Sequence, residues 1–132
     1  MKSAHDGTME KRMNDMATAW DGDRVRTWLD RRMAAARLDQ AAADRRGYDA
    51  RDDYDKAAAE EWVCRALRTH ASTDDQAAFA AQVKTLLGQD EYRMTGIHDD
   101  HRFERHVRAH LRKIAKMTKA NEGFANTLRY QA

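Results

Sequence analysis

The sequence predicts an all-α protein, a compact bundle of five or six helices without a sheet, on three observations. The 132 residues contain no proline and repeated alanine clusters, and proline is the worst helix former while alanine is the best. Ile, Val and Thr are sparse and never alternate with polar residues over the length of a strand. Apolar residues recur instead at helical spacings within one domain spanning 1–132. The predicted helices lie near 8–20, 24–46, 52–70, 74–87, 100–119 and 122–130.

The helix near 8–20 carries an apolar stripe at spacings of four, three and four residues, which places the stripe on one helical face. Its members are Met9, Met13, Met16 and Trp20. Such a face is typical of a helix that packs on a core. Methionine is also frequent on adaptable binding surfaces, so the alternative interpretation is a partner-binding groove or the interface of a helical homodimer.

The helix near 24–46 has signals at both ends, with Asp23 as the predicted N-cap and Gly47 as the predicted stop. Its inward face is expected to contain Val25, Trp28, Leu29, Met33, Ala36 and Ala43. Arg32 falls within this apolar sector. We expect its aliphatic stem to pack against the core while its guanidinium reaches a carboxylate.

An acidic connector at 48–55 leads into the helix near 52–70, and Ser72 or Thr73 is the predicted N-cap of the helix near 74–87. The expected inward faces of these two helices contain Ala58, Ala59, Trp62, Val63, Ala66 and Leu67 in the first, and Phe79, Val83, Leu86 and Leu87 in the second.

The helix near 100–119 follows a predicted loop at 89–98, with Asp99 or Asp100 as its N-cap. Its apolar side contains Phe103, Val107, Leu111, Ile114 and Met117. The opposite side forms what we call the basic stripe: Arg102, Arg105, Arg108, Arg112, Lys116 and Lys119, with Lys113 beside them. Like charges at (i, i+4) spacing repel by a few tenths of a kcal/mol per pair. A stripe that tolerates this repulsion is a candidate binding surface.

The net charge of +2 is unevenly distributed along the chain. Residues 1–92 carry fifteen basic and eighteen acidic side chains, for −3, whereas residues 93–132 carry nine basic and four acidic ones, for +5. Arginine suits bidentate contacts with phosphate or carboxylate, so the basic stripe is expected to contact one of these. Two alternatives remain: pairing with the acidic 48–61 region of the same chain, or a contribution to solubility alone.

Four histidines lie within thirteen residues: His98, His101, His106 and His110. His106 and His110 are spaced (i, i+4), as two ligands of one metal ion would be. The segment between them lacks the glutamate that serves a zinc protease as general base, and the neighbouring arginines disfavour a dication. We therefore expect no metal and no cofactor. The histidines are expected to border the core or to reinforce the basic stripe below about pH 6.5.

No catalytic motif is present, so we expect the protein not to be an enzyme. The single Cys64 falls on the polar side of its predicted helix, where a partly exposed thiol without an activating base is expected. The N-terminus lacks the apolar segment of a secretory signal, and no apolar run approaches the roughly 20 residues that a membrane span needs. The sequence therefore predicts a cytoplasmic protein with no membrane contact.

These features favour a non-enzymatic binding protein whose helix near 100–119 contacts nucleic-acid phosphates without reading base sequence, for example as an accessory subunit of a nucleoprotein complex. The alternative is a protein-interaction or inhibitor module that docks the basic stripe on an acidic protein surface. The isoelectric point near 8.8 favours this alternative, because dedicated nucleic-acid binders usually exceed 9. Phage- or mobile-element-encoded inhibitors of defence systems are similar in general type only, with no shared motif. A homodimer through the methionine stripe is the third hypothesis.

Overall fold

The computed structural model describes residues 20–119, with side chains as far as Thr118. Within this range the chain forms four α-helices and no strand: α1 (Gly22–Arg46), α2 (Arg51–His70), α3 (Gln76–Leu87) and α4 (Asp100–Lys119), with a 3₁₀ turn (Tyr48–Ala50) before α2. The all-helical prediction is confirmed, and all eight helix ends lie within two residues of the predicted ones. The predicted helices near 8–20 and 122–130 lie outside the described residues, so the count of five or six helices is not confirmed.

The central element is α2, which contacts the three other helices. It runs antiparallel to α1, because Arg46 pairs with Asp53 at one end while Arg68 pairs with Asp30 at the other. A further side of α2 packs on α4, and α3 closes the bundle against α4. The predicted loop at 89–98 joins α3 to α4.

The core is built from the apolar faces that the helical spacing predicts. Each helix contributes side chains with almost no solvent exposure: Val25 and Leu29 from α1, Val63 and Leu67 from α2, Phe79 and Val83 from α3, and Phe103, Val107 and Leu111 from α4. Full burial of one such side chain stabilises the fold by about 1.5–3 kcal/mol before the loss of conformational entropy is counted. Arg32 behaves as predicted, with its Nη2 atom 2.6 Å from Oε1 of Glu60.

The start of α1 differs from the prediction, because Asp21 rather than Asp23 is the N-cap. The Asp21 carboxylate accepts hydrogen bonds from the backbone N–H groups of Asp23 and Arg24. Gly22 therefore belongs to the helix, and it lies against the turn before α3. A Cβ atom at Gly22 would come within 2.8 Å of the Thr73 carbonyl oxygen. Glycine is needed here for close approach rather than as a helix breaker.

The start of α3 also differs from the prediction, since Asp75 is the N-cap instead of Ser72 or Thr73. The Asp75 carboxylate accepts from the N–H groups of the second and third residues after it. Thr73 is buried and has other partners: its hydroxyl accepts from Arg26, and its carbonyl accepts from the Trp20 indole N–H at 2.7 Å. The predicted cap at the start of α4 is confirmed, because Asp99 accepts from the Arg102 N–H at 2.9 Å.

Cys64 lies in the core, so the prediction of a partly exposed thiol was wrong. Only 2% of the residue is exposed, and burial raises the pKa of the thiol to about 12. The physical reason is the central position of α2. Because α2 packs against several helices, residues beside its apolar face, such as Cys64, are buried as well.

Trp20 is the one member of the predicted methionine stripe that the structure describes. Its ring centroid lies 5.4 Å from that of Phe79 in the core. Met9, Met13 and Met16 lie outside the described residues. Among the described helices, none is both long and apolar enough to cross a membrane.

Candidate binding face of helix α4

The helix α4 is amphipathic, and its two sides have opposite roles. Phe103, Val107 and Leu111 are buried at spacings of four residues. On the other side, exposed residues recur four, four, three and four positions apart: His101, Arg105, Ala109, Arg112 and Lys116, with Lys113 exposed beside them. At 3.6 residues per turn these positions share one face of the helix. The buried side thus fixes which cations point to solvent.

Arg102 is held within the protein and does not belong to the exposed side. Only 16% of its side chain is exposed, and its Nη2 atom lies 2.8 Å from Oδ2 of Asp55. Its Nε atom also donates to Asp55, at 3.1 Å, and lies 3.4 Å from the Asp52 carboxylate. These hydrogen bonds raise the pKa of Arg102. Arg102 therefore pairs with the acidic 48–61 region of the same chain, as the first of the two alternatives predicted.

Asp55, which is not among the predicted site residues, organises this contact. The carboxylate is fully buried and accepts from the backbone N–H groups of His98 and Asp99, at 2.8 and 3.1 Å, as well as from Arg102. It therefore ties the start of α4 to α2. A signal did exist: Asp55 is in phase with the apolar residues Ala58, Ala59 and Trp62, a position where an acidic residue implies a buried partner.

Arg108 is also engaged by its own chain. Its Nη2 atom donates to the carbonyl oxygen of Asp90 at 3.2 Å, and its guanidinium carbon lies 5.0 Å from the centre of the Tyr92 ring. Tyr92 is buried in turn, and its hydroxyl donates to the Leu86 carbonyl at 2.6 Å. Burial raises the pKa of the Tyr92 hydroxyl. Arg108 thus secures the loop before α4, which no periodic signal in the sequence could reveal.

Four cations of the basic stripe remain exposed, and we call them the exposed basic face: Arg105, Arg112, Lys113 and Lys116. Between residues 20 and 119, no hydrogen bond or ion pair engages any of these four side chains. The rise of 1.5 Å per residue spreads them over roughly 16 Å of helix axis. The side chain of Lys119 lies outside the described part of the chain.

His106 and His110, whose spacing suits two ligands of one metal ion, each contact α2. His106 Nε2 lies 3.0 Å from Oδ1 of Asp52, and this hydrogen bond lowers the pKa of that carboxyl. His110 Nε2 lies 3.2 Å from the Lys56 carbonyl oxygen, and burial lowers the pKa of His110. In the described part of the chain, no group of three or more His, Cys, Asp or Glu side chains is arranged to hold a metal ion.

The arrangement of α4 suits electrostatic contact. Its exposed side offers cations over a distance of several phosphate or carboxylate groups, and its polar side against α2 is satisfied internally. Comparisons of the chain with protein-family models, curated proteins and solved structures gave no match.

Proposed function

We propose that this protein is a non-enzymatic binding protein whose α4 contacts the phosphate backbone of nucleic acid through the exposed basic face. One observation carries the proposal. Arg105, Arg112, Lys113 and Lys116 are exposed and form no hydrogen bond or ion pair with another described residue, whereas the neighbouring Arg102 and Arg108 are held by the protein itself. Exposed cations that share one face of a single helix can contact several phosphates at once.

The contact is expected to be made by the flank of α4 and not by its N-terminus. Helix N-termini attract phosphate because their backbone N–H groups are unpaired. Here the carboxylates of Asp55 and Asp99 already accept hydrogen bonds from that end. A recognition helix reads base edges mainly with residues near its N-terminus, whereas the exposed basic face lies along the flank of α4. Binding should therefore be independent of base sequence.

An acidic protein surface is the second candidate partner, on a separate observation. The whole chain carries a net charge of only +2, and two of the seven cations of the predicted stripe are used internally. Four exposed cations over roughly 16 Å of helix match a carboxylate-rich patch as well as a phosphate backbone. In this case the protein would act as an interaction or inhibitor module.

A double charge reversal tests the proposal, with Arg105→Glu and Arg112→Glu combined in the full chain. Binding to a fluorescein-labelled DNA duplex is measured by anisotropy between 50 and 200 mM salt. Four phosphate contacts predict a log–log salt slope of about −3 to −4 for the native chain, because each neutralised phosphate contributes about −0.9. The double variant should bind far more weakly and with a shallower slope, to all duplex sequences alike.

A matched control reverses Arg24 and Arg45, which are exposed on α1. This variant has the same net charge as the test variant, so the proposal requires its binding to stay near that of the native chain. Equal loss in both variants would mean that total charge, and not α4, attracts the duplex. A test variant that binds DNA normally would refute the proposal. If the native chain binds DNA only weakly but loses an isolated protein partner on the double change, the second candidate is correct.

A further inference from the structure

A groove separates the second half of α2 from the segment that follows α3. Its volume is about 560 Å³. The floor is apolar and includes Trp62, Leu86 and Met94, while the rim includes Arg65, His70 and Arg93. The rim residues are exposed, and Trp62 and Met94 are half-buried. The groove is therefore a surface depression with an apolar base, and none of the residues that line it belongs to the exposed basic face of α4.

The charged side chains that line the groove are both arginines, which only donate hydrogen bonds. Two guanidinium groups stand on the rim, and none of the residues that line the groove is acidic. The Trp62 ring lies edge-on to Tyr92, with centroids 5.1 Å apart. Within residues 20–119, its indole N–H has no hydrogen-bond partner. A complementary ligand would supply acceptor oxygens, with carboxylates preferred by arginine.

Part of the backbone beside the groove has no hydrogen-bond partner among the described residues. From Glu91 to Arg93, no backbone N–H or C=O forms a hydrogen bond with another residue between 20 and 119. Residues 95 and 96 form a turn. Arg93 lines the groove, so its backbone groups are available for main-chain hydrogen bonds with an extended peptide.

We infer that this groove binds a short, extended, acidic peptide segment of a partner protein, with one apolar side chain on the floor beside Trp62 and carboxylates at Arg65 and Arg93. From Trp62 to His70 the helix rises about 12 Å, which an extended peptide spans with roughly four residues. The inference is independent of the proposed nucleic-acid contact, because it involves no residue of the exposed basic face.

The rim of the groove remains positively charged although both of its arginines form ion pairs within the chain. Arg65 pairs with Glu61, but Glu61 is nearly buried and also accepts from Arg37 at 3.0 Å. Two guanidinium groups thus share one carboxylate. Arg93 pairs with Glu91 at 3.1 Å, with side chains 83% and 61% exposed. Pairs so exposed are weak, so a peptide carboxylate can displace Glu91 from Arg93.

The experiment selects peptides from a random dodecapeptide library displayed on phage, using the full chain as the target. We expect enrichment of peptides that combine Asp or Glu with one large apolar residue. A fluorescein-labelled peptide from the selection is then measured by anisotropy. Arg93→Glu should weaken its binding by roughly tenfold, the equivalent of one charge-assisted hydrogen bond. N-methylation of the central peptide bonds should weaken it similarly, because it removes main-chain donors.

Two control variants separate the groove from other surfaces. Arg68→Glu changes an exposed arginine of α2 that does not line the groove, and its binding should match that of the native chain. The Arg105→Glu and Arg112→Glu double variant should also bind the peptide normally, whatever happens to DNA binding. Arg93 is 83% exposed, so its replacement leaves the fold intact, which circular dichroism verifies.

Three outcomes would overturn the inference. The first is a selection that enriches no acidic and apolar sequences. The second is a selected peptide whose affinity is unchanged by Arg93→Glu and by Trp62→Leu. The third is a fifteen-residue oligothymidine that binds the native chain and loses affinity on Trp62→Leu, since the groove would then stack bases.

Discussion

Replacing Asp55 with alanine tests whether one buried carboxylate fixes the position of α4. Asp55 is fully buried and accepts from the backbone N–H groups of His98 and Asp99 and from the guanidinium of Arg102. Alanine leaves these donors without an acceptor. An unsatisfied buried donor costs about 1–3 kcal/mol. His98 and Asp99 are exposed residues, so each backbone N–H group is expected in the lower part of that range, at about 1–2 kcal/mol, and the two together predict a loss of about 2–4 kcal/mol in the free energy of unfolding.

The guanidinium of Arg102 is left out of this figure, because Asp52 lies 3.4 Å from its Nε atom and can replace part of the interaction. For a chain of this length, a loss of 2–4 kcal/mol corresponds to a fall in Tm of roughly 8–16 °C. Thermal unfolding followed by circular dichroism measures the fall. Asp55→Asn retains one acceptor oxygen but turns an N–H₂ group toward other donors. We therefore expect it to lower the free energy of unfolding by less than Asp55→Ala does.

The matched control is Asp53→Ala, two residues away on the same helix. Asp53 is 57% exposed and pairs with Arg46, itself 60% exposed. Exposed pairs of this kind contribute about 0–1 kcal/mol, so Tm should change by a few degrees at most. If Asp55→Ala is no more destabilising than Asp53→Ala, the carboxylate does not hold α4, and the reasoning about the start of this helix is wrong.

The remaining predictions concern two titratable groups, the partly buried His110 and the buried Cys64. Burial lowers the pKa of His110 below its ordinary 6.5. As pH falls, His110 therefore takes up a proton in the unfolded chain before it does so in the folded chain. The contribution of His110 to the free energy of unfolding should be complete above pH 6.5 and should decline as pH falls toward the folded pKa. Chemical denaturation at pH 8 and pH 5.5 should therefore show a smaller loss in the free energy of unfolding for His110→Gln than for the native chain. A larger loss in the variant would contradict the lowered pKa. The Cys64 thiol, with its pKa raised to about 12, should not react with a disulfide reagent at pH 8 until the chain is unfolded in denaturant; one equivalent of rapid reaction in the native protein would place the thiol at the surface.

The positions of the helices follow from local physics, which is why the sequence predicts them well. The spacing of Val25 and Leu29 in α1, or of Phe103, Val107 and Leu111 in α4, repeats every three or four residues, and all five side chains are buried. Proline-free, alanine-rich segments favour helix whatever their neighbours are. The bounds of α1 to α4 therefore lie close to those read from periodicity and turn residues.

The caps illustrate where local reasoning stops. Asp23 and Thr73 have the chemistry of an N-cap, yet Asp21 and Asp75 cap α1 and α3. The choice depends on the close approach of Gly22 to the Thr73 carbonyl, which joins segments about fifty residues apart. No residue pattern within one helix carries that information.

The candidate binding face shows the same division. The sequence alone determined that α4 has an apolar side and a basic side, because a period of 3.6 residues sorts side chains before any partner is known. Only the tertiary structure decided that Arg102 is held by Asp55 and Arg108 by the loop before α4, while Arg105, Arg112, Lys113 and Lys116 stay exposed. The reason is that burial and ion pairing depend on which distant side chains arrive at the same place, whereas amphipathicity depends only on spacing along the helix.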